Sequence, residues 1–213
     1  MLGDWQLSAL AKQIYSAGPR LSWHQALTTV YRPLYAPFGL LLHWVPPGAT
    51  MLDLGCGTGA LLLLAHAVRH LTRGYGVDMQ AAPLRVAQAA NQDPRITFEQ
   101  HDDVPDQIIG ECNVIALIDI LHHVPAAAKL PLLQRVIDHT GSGAVMLLKD
   151  LHPRPRWRAL ANRVTDYLST RSRVDYMAME DVEAFCRRNG LTVLYARRWP
   201  KQVWSHYLVV ARR

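Results

Sequence analysis

One run of the chain restricts its fold more than any other: Met51-Leu52-Asp53-Leu54-Gly55-Cys56-Gly57-Thr58-Gly59. It passes from an apolar strand into a loop of alternate glycines, and then into the leucine-rich stretch that begins at Ala60. Three glycines so spaced let the backbone turn sharply and approach a ligand closely, because no Cβ stands in the way. A strand, glycine loop and helix in this order open a doubly wound sheet. The loop then lies at the carboxyl end of the first strand, where such sheets bind ligands.

The rest of the chain fits that frame. After residues 4–17 and 22–32, which have apolar residues at helical spacing, an apolar and aromatic stretch at 33–45 ends at Pro46-Pro47-Gly48. Strand candidates at 50–54, 74–78, 95–99, 113–119 and 143–149 then alternate with helical stretches at 58–71, 81–91, 104–110 and 126–139. Such alternation predicts a mostly parallel sheet with helices on both faces. A basic segment at 157–171, a helix at 179–189 and strands at 191–197 and 205–211 complete the chain. The reading is one domain over 1–213: a helical lid at 1–46, a cofactor-binding core at 47–151 and a basic flank at 152–213.

Composition narrows the class. The three cysteines are odd in number and far apart, which suits reduced thiols in a cytoplasmic protein better than a disulfide frame. No apolar run reaches the roughly 18 residues of a membrane span, and the first residues lack the basic start of a secretory signal. Residues 1–151 carry 10 Lys/Arg against 12 Asp/Glu, whereas 152–213 carry 13 against 5. That basic third suits an acidic partner, nucleic acid, anionic lipid or a solvated surface. Between residues 50 and 150 the aromatics are only Tyr75 and Phe98, so the flanks either line an acceptor pocket or cover the sheet.

Gly55-x-Gly57-x-x-Ala60 also satisfies a dinucleotide fingerprint. Asp53 decides against it, since a carboxylate two residues before the first glycine supports a cationic ligand and does nothing for a pyrophosphate. With that acid and Gly-x-Gly-x-Gly, the sequence resembles the class I S-adenosylmethionine-dependent methyltransferases, and further landmarks follow in order. Gly74-Tyr75-Gly76-Val77-Asp78 ends a second strand on a carboxylate able to accept both ribose hydroxyls, with Met79 beside it. Ile96 to Asp103 matches the third strand and its loop, where the resemblance gives Asp102, or its neighbour Asp103, the adenine amino group. Asn113 to Pro125 matches the fourth strand and loop, with Asp119, His122 and His123.

The resemblance implies a Rossmann-like seven-stranded α/β sheet, mostly parallel with the last strand antiparallel, and S-adenosylmethionine as cofactor. Its cofactor-binding residues would be Tyr31, Asp53, Gly55, Cys56, Gly57, Gly59, Asp78, Met79, Asp102, Asp103 and Asp119. Asp119-Ile120-Leu121-His122 is unlike the Pro-Pro-aromatic loop of base-amine methyltransferases, and no RNA-binding module is recognisable, which disfavours nucleic acid. No His/Asp/Glu grouping has metal-ligand spacing. A phenolic acceptor needs a base. His123 is the first candidate, then His122, with Asp150 of Lys149-Asp150 as the next proton route; the alternative for both histidines is packing beside the cofactor.

Tyr31-Arg32-Pro33-Leu34-Tyr35-Ala36-Pro37-Phe38, with Leu148 to Leu151 and Arg154-Pro155-Arg156-Trp157, is similar to small methyltransferases of bacterial aryl polyene pathways. That resemblance implies a small aromatic acceptor on an acidic acyl carrier protein. The alternatives are an RNA methyltransferase and a non-catalytic cofactor-binding partner subunit. Calorimetry should show S-adenosylhomocysteine binding in the micromolar range and no binding of NAD. Asp78→Ala should weaken it by about 1–3 kcal/mol through lost charge-assisted bonds. Tight NAD binding without a response to the adenosyl compounds would refute this cofactor assignment.

Overall fold

A computed structural model describes residues 2–18, 20–103, 105–153, 175–201 and 204–213, with the side chains of His24, Pro200 and Lys201 outside the description. The strands are β1 (Thr50–Leu54), β2 (Arg73–Asp78), β3 (Ile96–Gln100), β4 (Val114–Ile118), β5 (Val145–Leu151), β6 (Thr192–Lys201) and β7 (Trp204–Arg212). They form one seven-stranded sheet in the order β3-β2-β1-β4-β5-β7-β6. β1, β2 and β3 pair in parallel, and β7 runs antiparallel to both β5 and β6. This is the Rossmann-like α/β sheet expected, last strand included. The chain divides into two compact units, Met1–Ala116 and Leu117–Arg213.

The first unit begins with α1 (Asp4–Tyr15), α2 (Trp23–Thr29), α3 (Arg32–Tyr35) and α4 (Phe38–His43). The helix expected over 22–32 is α2, which ends at Thr29, and a separate short helix, α3, begins at Arg32. Ser22 starts α2 with a capping box, its hydroxyl accepting from the Gln25 N–H while the Gln25 side chain accepts from the Ser22 N–H. Pro33 has no N–H to continue that ladder and instead occupies the first turn of α3, where none is needed. α5 (Ala60–Arg69), α6 (Ala81–Ala90) and α7 (Asp106–Glu111) follow. The leucines at 61–64 of α5 are all buried, which anchors the helix behind the glycine loop.

Phe98 sets how closely these elements approach. It lies opposite Gly76 in the β2–β3 register. A Cβ on Gly76 would stand 2.3 Å from Phe98 Cδ1, and one on Gly59 would stand 2.6 Å from the same ring. Gly59 also has φ +78°, a left-handed conformation that L side chains rarely adopt.

The second unit holds a 3₁₀ turn (Leu121–His123), α8 (Ala126–His139), α9 (Met179–Arg188) and strands β5, β6 and β7. All seven residues of β5 are buried, Lys149 and Asp150 included. α9 buries Val182, Phe185 and Cys186, with Glu180 and Asp181 in its first turn and Arg187 and Arg188 in its last, the arrangement that suits the helix dipole. β6 extends past its expected end at 197 to Lys201, because β7 continues to pair with it through Pro200↔Ser205. Proline is tolerated there because β6 is an edge strand. Among the described residues no helix is long and apolar enough to cross a membrane.

Gly76→Ala should destabilise the protein by about 1–3 kcal/mol in urea unfolding, the usual cost of overpacking a dense core. Phe98→Leu in the same chain should recover more than half of that loss. Additive losses would show that the Phe98 ring is not what Gly76 accommodates.

Candidate functional site

The first unit hangs the glycine loop from the end of β2. The Gly55 and Cys56 N–H groups both donate to the Val77 carbonyl, at 2.7 and 3.0 Å. Asp78 Oδ2 accepts from the Gly57 N–H at 2.8 Å, and its Oδ1 accepts from the Gln80 N–H at 2.9 Å. Asp78, expected to hold a ribose, therefore also fixes the loop. Gly57 has φ +54°, and a Cβ built there would meet nothing within 4 Å, so the loop borders open space. These features fit a ligand laid against the main chain.

Asp53 is the buried acid at the end of β1, just before the loop. It is 3% exposed, and burial pushes its pKa up to about 7. The Arg32 guanidinium opposes that rise, while the Asp78 carboxylate adds to it. A cationic ligand near Asp53 would restore the ionised form.

Helices α1 and α2 hold the same loop from its other end. Tyr15 Oη donates to the Thr58 carbonyl at 2.6 Å, and the Thr29 and Thr58 hydroxyls are 2.9 Å apart. Burial pushes the Tyr15 phenol well above its ordinary pKa, so it stays a donor. Tyr15 and Thr29 escaped the sequence reading. The available signal was that Tyr15 ends the buried stripe Leu7, Ser8, Ala11 and Tyr15 of α1. Cys56 is buried, and that burial raises its thiol pKa, which suits a loop residue chosen for size. Tyr31 is 42% exposed and Met79 64% exposed, and Asp102 and Asp103 stand exposed after β3.

In the second unit, Lys149 and Asp150 of β5 capture the two ends of the segment that follows β4. Asp119 takes φ +58°, unusual for a residue with a side chain. Its N–H donates to the Lys149 carbonyl at 2.8 Å, and Lys149 Nζ, fully buried, donates to Asp119 Oδ1 at 2.5 Å. Three residues on, the His122 N–H donates to Asp150 Oδ2 at 3.0 Å, and His122 Nδ1 lies 2.5 Å from Asp150 Oδ1. The Leu151 N–H also donates to Oδ1, at 2.6 Å. His122 is buried; His123 is exposed, with its ring centroid 4.1 Å from that of His122.

Asp119, His122, His123 and Asp150 are thus gathered in one unit, and Asp53, Gly55, Cys56, Gly57, Gly59 and Asp78 in the other. Asp175 and Tyr176, which border His122, and Lys129, which holds Asp175, were not legible in the sequence. The basic segment 157–171 and residues Arg154, Arg156 and Trp157 lie outside the described residues.

The fold and the glycine loop define a cofactor-binding α/β protein with a buried acid at its first strand. The family described as "Methyltransferase domain" matches residues 23–196. The chain belongs to that family and is a class I S-adenosylmethionine-dependent methyltransferase.

Its similarity to the ubiquinone biosynthesis O-methyltransferase of Acinetobacter baylyi is 26% identity, covering 47% of this chain and 46% of the relative. With the 2-phytyl-1,4-naphtoquinone methyltransferase of Thermosynechococcus vestitus it shares 41% identity, covering 37% and 42%. The matches span less than half the length of these curated relatives. Among solved structures, the magnesium protoporphyrin IX methyltransferase of Synechocystis PCC 6803 with bound S-adenosylhomocysteine has a TM-score of 0.65 at 16% identity, covering 95% of this chain and 91% of that one. An S-adenosylmethionine-dependent methyltransferase of Mesorhizobium loti has a TM-score of 0.67 at 20% identity, covering 82% and 96%.

Asp53 should make both folding and cofactor binding depend on pH. Its raised pKa means the folded protein holds a proton that the unfolded chain releases near pH 4, so between about pH 4 and 7 stability falls as pH rises. S-adenosylmethionine affinity should show the opposite trend, weakening about tenfold per unit as pH falls below 7. Asp53→Asn should abolish both dependences and weaken binding. Calorimetry and urea unfolding at several pH values read both, and an unchanged pH dependence in Asp53→Asn would assign the titration to another group.

Proposed function

We propose that the chain transfers a methyl group to a small aromatic acceptor bearing a hydroxyl, with His122 as general base and Asp150 as the carboxylate that orients it. The observation that carries this reading is the paired contact of Asp150 with the backbone and the ring of His122. A carboxylate only accepts, so the proton of a neutral His122 ring belongs on Nδ1, and the proton-accepting atom is then Nε2. Buried and held at two points, this ring suits base catalysis better than exposed His123, the first choice from sequence.

S-adenosylmethionine supplies an electrophilic methyl group on a sulfonium. The chain's own part is to bind, orient and deprotonate. Asp53 and Asp78, with the loop from Gly55 to Gly59, hold the cofactor in this reading: Asp53 supports its cationic end and Asp78 its ribose. Tyr31, Met79, Asp102 and Asp103 are exposed enough to close over it, and Asp119, fixed by Lys149, borders the acceptor side. Removal of the phenolic proton enriches the oxygen and the ortho carbons in electron density, so one base serves O- or C-methylation. Two relatives are named for ubiquinone biosynthesis and for a naphthoquinone, which supports a cyclic acceptor of this kind. The narrower carrier-bound aryl acceptor of an aryl polyene pathway draws its support from the motifs at Tyr31 to Phe38, Leu148 to Leu151 and Arg154 to Trp157, the last of which lies outside the described residues.

His122→Asn should cut turnover of a phenolic acceptor by about 100- to 10,000-fold, the usual contribution of a general base. Affinity for S-adenosylhomocysteine should stay within a few fold, and the acidic limb of the pH–rate profile should vanish. His123→Asn should cost far less. The reverse ranking would move the base to His123, and survival of both variants within threefold would remove the base from the mechanism.

A further inference from the structure

A buried ammonium on α8 reaches His122 through one intervening residue, and the proposed reaction does not use it. Lys129 is the fourth residue of α8, where the positive end of the helix dipole disfavours a cation. Its side chain is also only 5% exposed, so the ammonium has lost most of its hydration. Two unfavourable terms at one residue call for a compensating partner. Asp175 is that partner. Lys129 Nζ donates to the Asp175 carbonyl and lies 3.2 Å from Asp175 Oδ2.

Asp175 in turn meets His122. Its N–H donates to the His122 carbonyl at 3.1 Å. The next residue, Tyr176, is 7% exposed, with its ring centroid 5.8 Å from that of His122. Tyr176 packs with Leu151, and Trp204 lies against that pair. Asp150 therefore holds the N–H and Nδ1 of His122, while Asp175 and Tyr176 hold its carbonyl and one side of its ring.

We infer that Lys129 is a positioning residue for His122, acting through Asp175 and Tyr176. The inference rests on the assignment of His122 as base. Without the ammonium, the Asp175 carbonyl and carboxylate lose the donor they share from α8. The His122 carbonyl and ring then lose a fixed neighbour, although Asp150 still grips the imidazole. The expected result is a base that is present but less well oriented.

Three variants separate positioning from bulk stability. Lys129→Met keeps the aliphatic stem and removes the charge, Asp175→Asn alters the half-exposed partner, and Lys129→Arg restores a donor. With catechol as the probe acceptor, Lys129→Met should lower kcat about tenfold and leave S-adenosylhomocysteine affinity within about twofold, since small misplacements of reacting groups cost rate steeply. Lys129→Arg should recover most of kcat, and Asp175→Asn should add little to Lys129→Met.

Nitrogen-15 NMR of the His122 ring, assigned with His122→Asn, gives a readout independent of turnover. The wild-type protein should show a downfield, slowly exchanging Nδ1 proton, and Lys129→Met should broaden it while the fold stays intact. A sharp signal unchanged in Lys129→Met overturns the positioning role and leaves the base assignment standing. Parallel loss of the signal, cofactor binding and cooperative unfolding would make Lys129 a stability residue and also overturn the inference. A wild-type protein without the Nδ1 signal would overturn the His122–Asp150 pair, and the proposed function with it.

Discussion

The segment that follows β4 depends on the carboxylate of Asp150. Burying a carboxyl group is costly unless its oxygens are satisfied, and here the backbone N–H groups of His122 and Leu151 and the His122 Nδ1 meet them. Asp150 sits in a strand whose every residue is buried, so neither it nor its partners can exchange these bonds for water without opening the core. The preceding residue, Lys149, does the same for Asp119. Successive residues of a strand point to opposite sides of the sheet, so this dipeptide grips the segment after β4 at two points. The left-handed conformation of Asp119, a strain of order 1–3 kcal/mol, persists because that grip over-determines it.

The first unit rests on a different constraint, the absence of side chains. Phe98 fills the space that a Cβ on Gly59 or Gly76 would need, so helix α5 and strands β2 and β3 close around one ring. The loop this creates has its amides tied to Val77 and Asp78 and its far end clasped by Tyr15 and Thr29. A preformed loop beside a buried acid favours a cation over a pyrophosphate, which is how the chain separates itself from dinucleotide enzymes of similar fingerprint.

Much of this was legible in the sequence because it is local. The glycine loop, Asp53 and the strand–helix alternation are read from local spacing, and Asp78 from the family resemblance that the loop brings with it. The boundary before Pro33 was read from the sequence, but α2 ends three residues earlier, at Thr29, because α3 already starts at Arg32. The choice between His122 and His123 was not legible, since adjacent residues of one type differ only through the phase of a short 3₁₀ turn. Lys129 and Asp175 are 46 positions apart, and nothing in either neighbourhood announces that a buried ammonium awaits a partner. Pairing of β6 through Pro200 likewise depends on its edge position, a property of the whole sheet.

The central claim is that the acceptor is an aromatic hydroxyl that must lose a proton. Labelled methyl transfer from S-adenosylmethionine to matched pairs of catechols and hydroquinones, free or capped as their dimethyl ethers, tests it most directly. The account predicts label on the oxygen or ortho carbon of the free compounds and none on the capped ones. Equal labelling of free and capped rings, or transfer confined to amines, thiols or RNA, would contradict it.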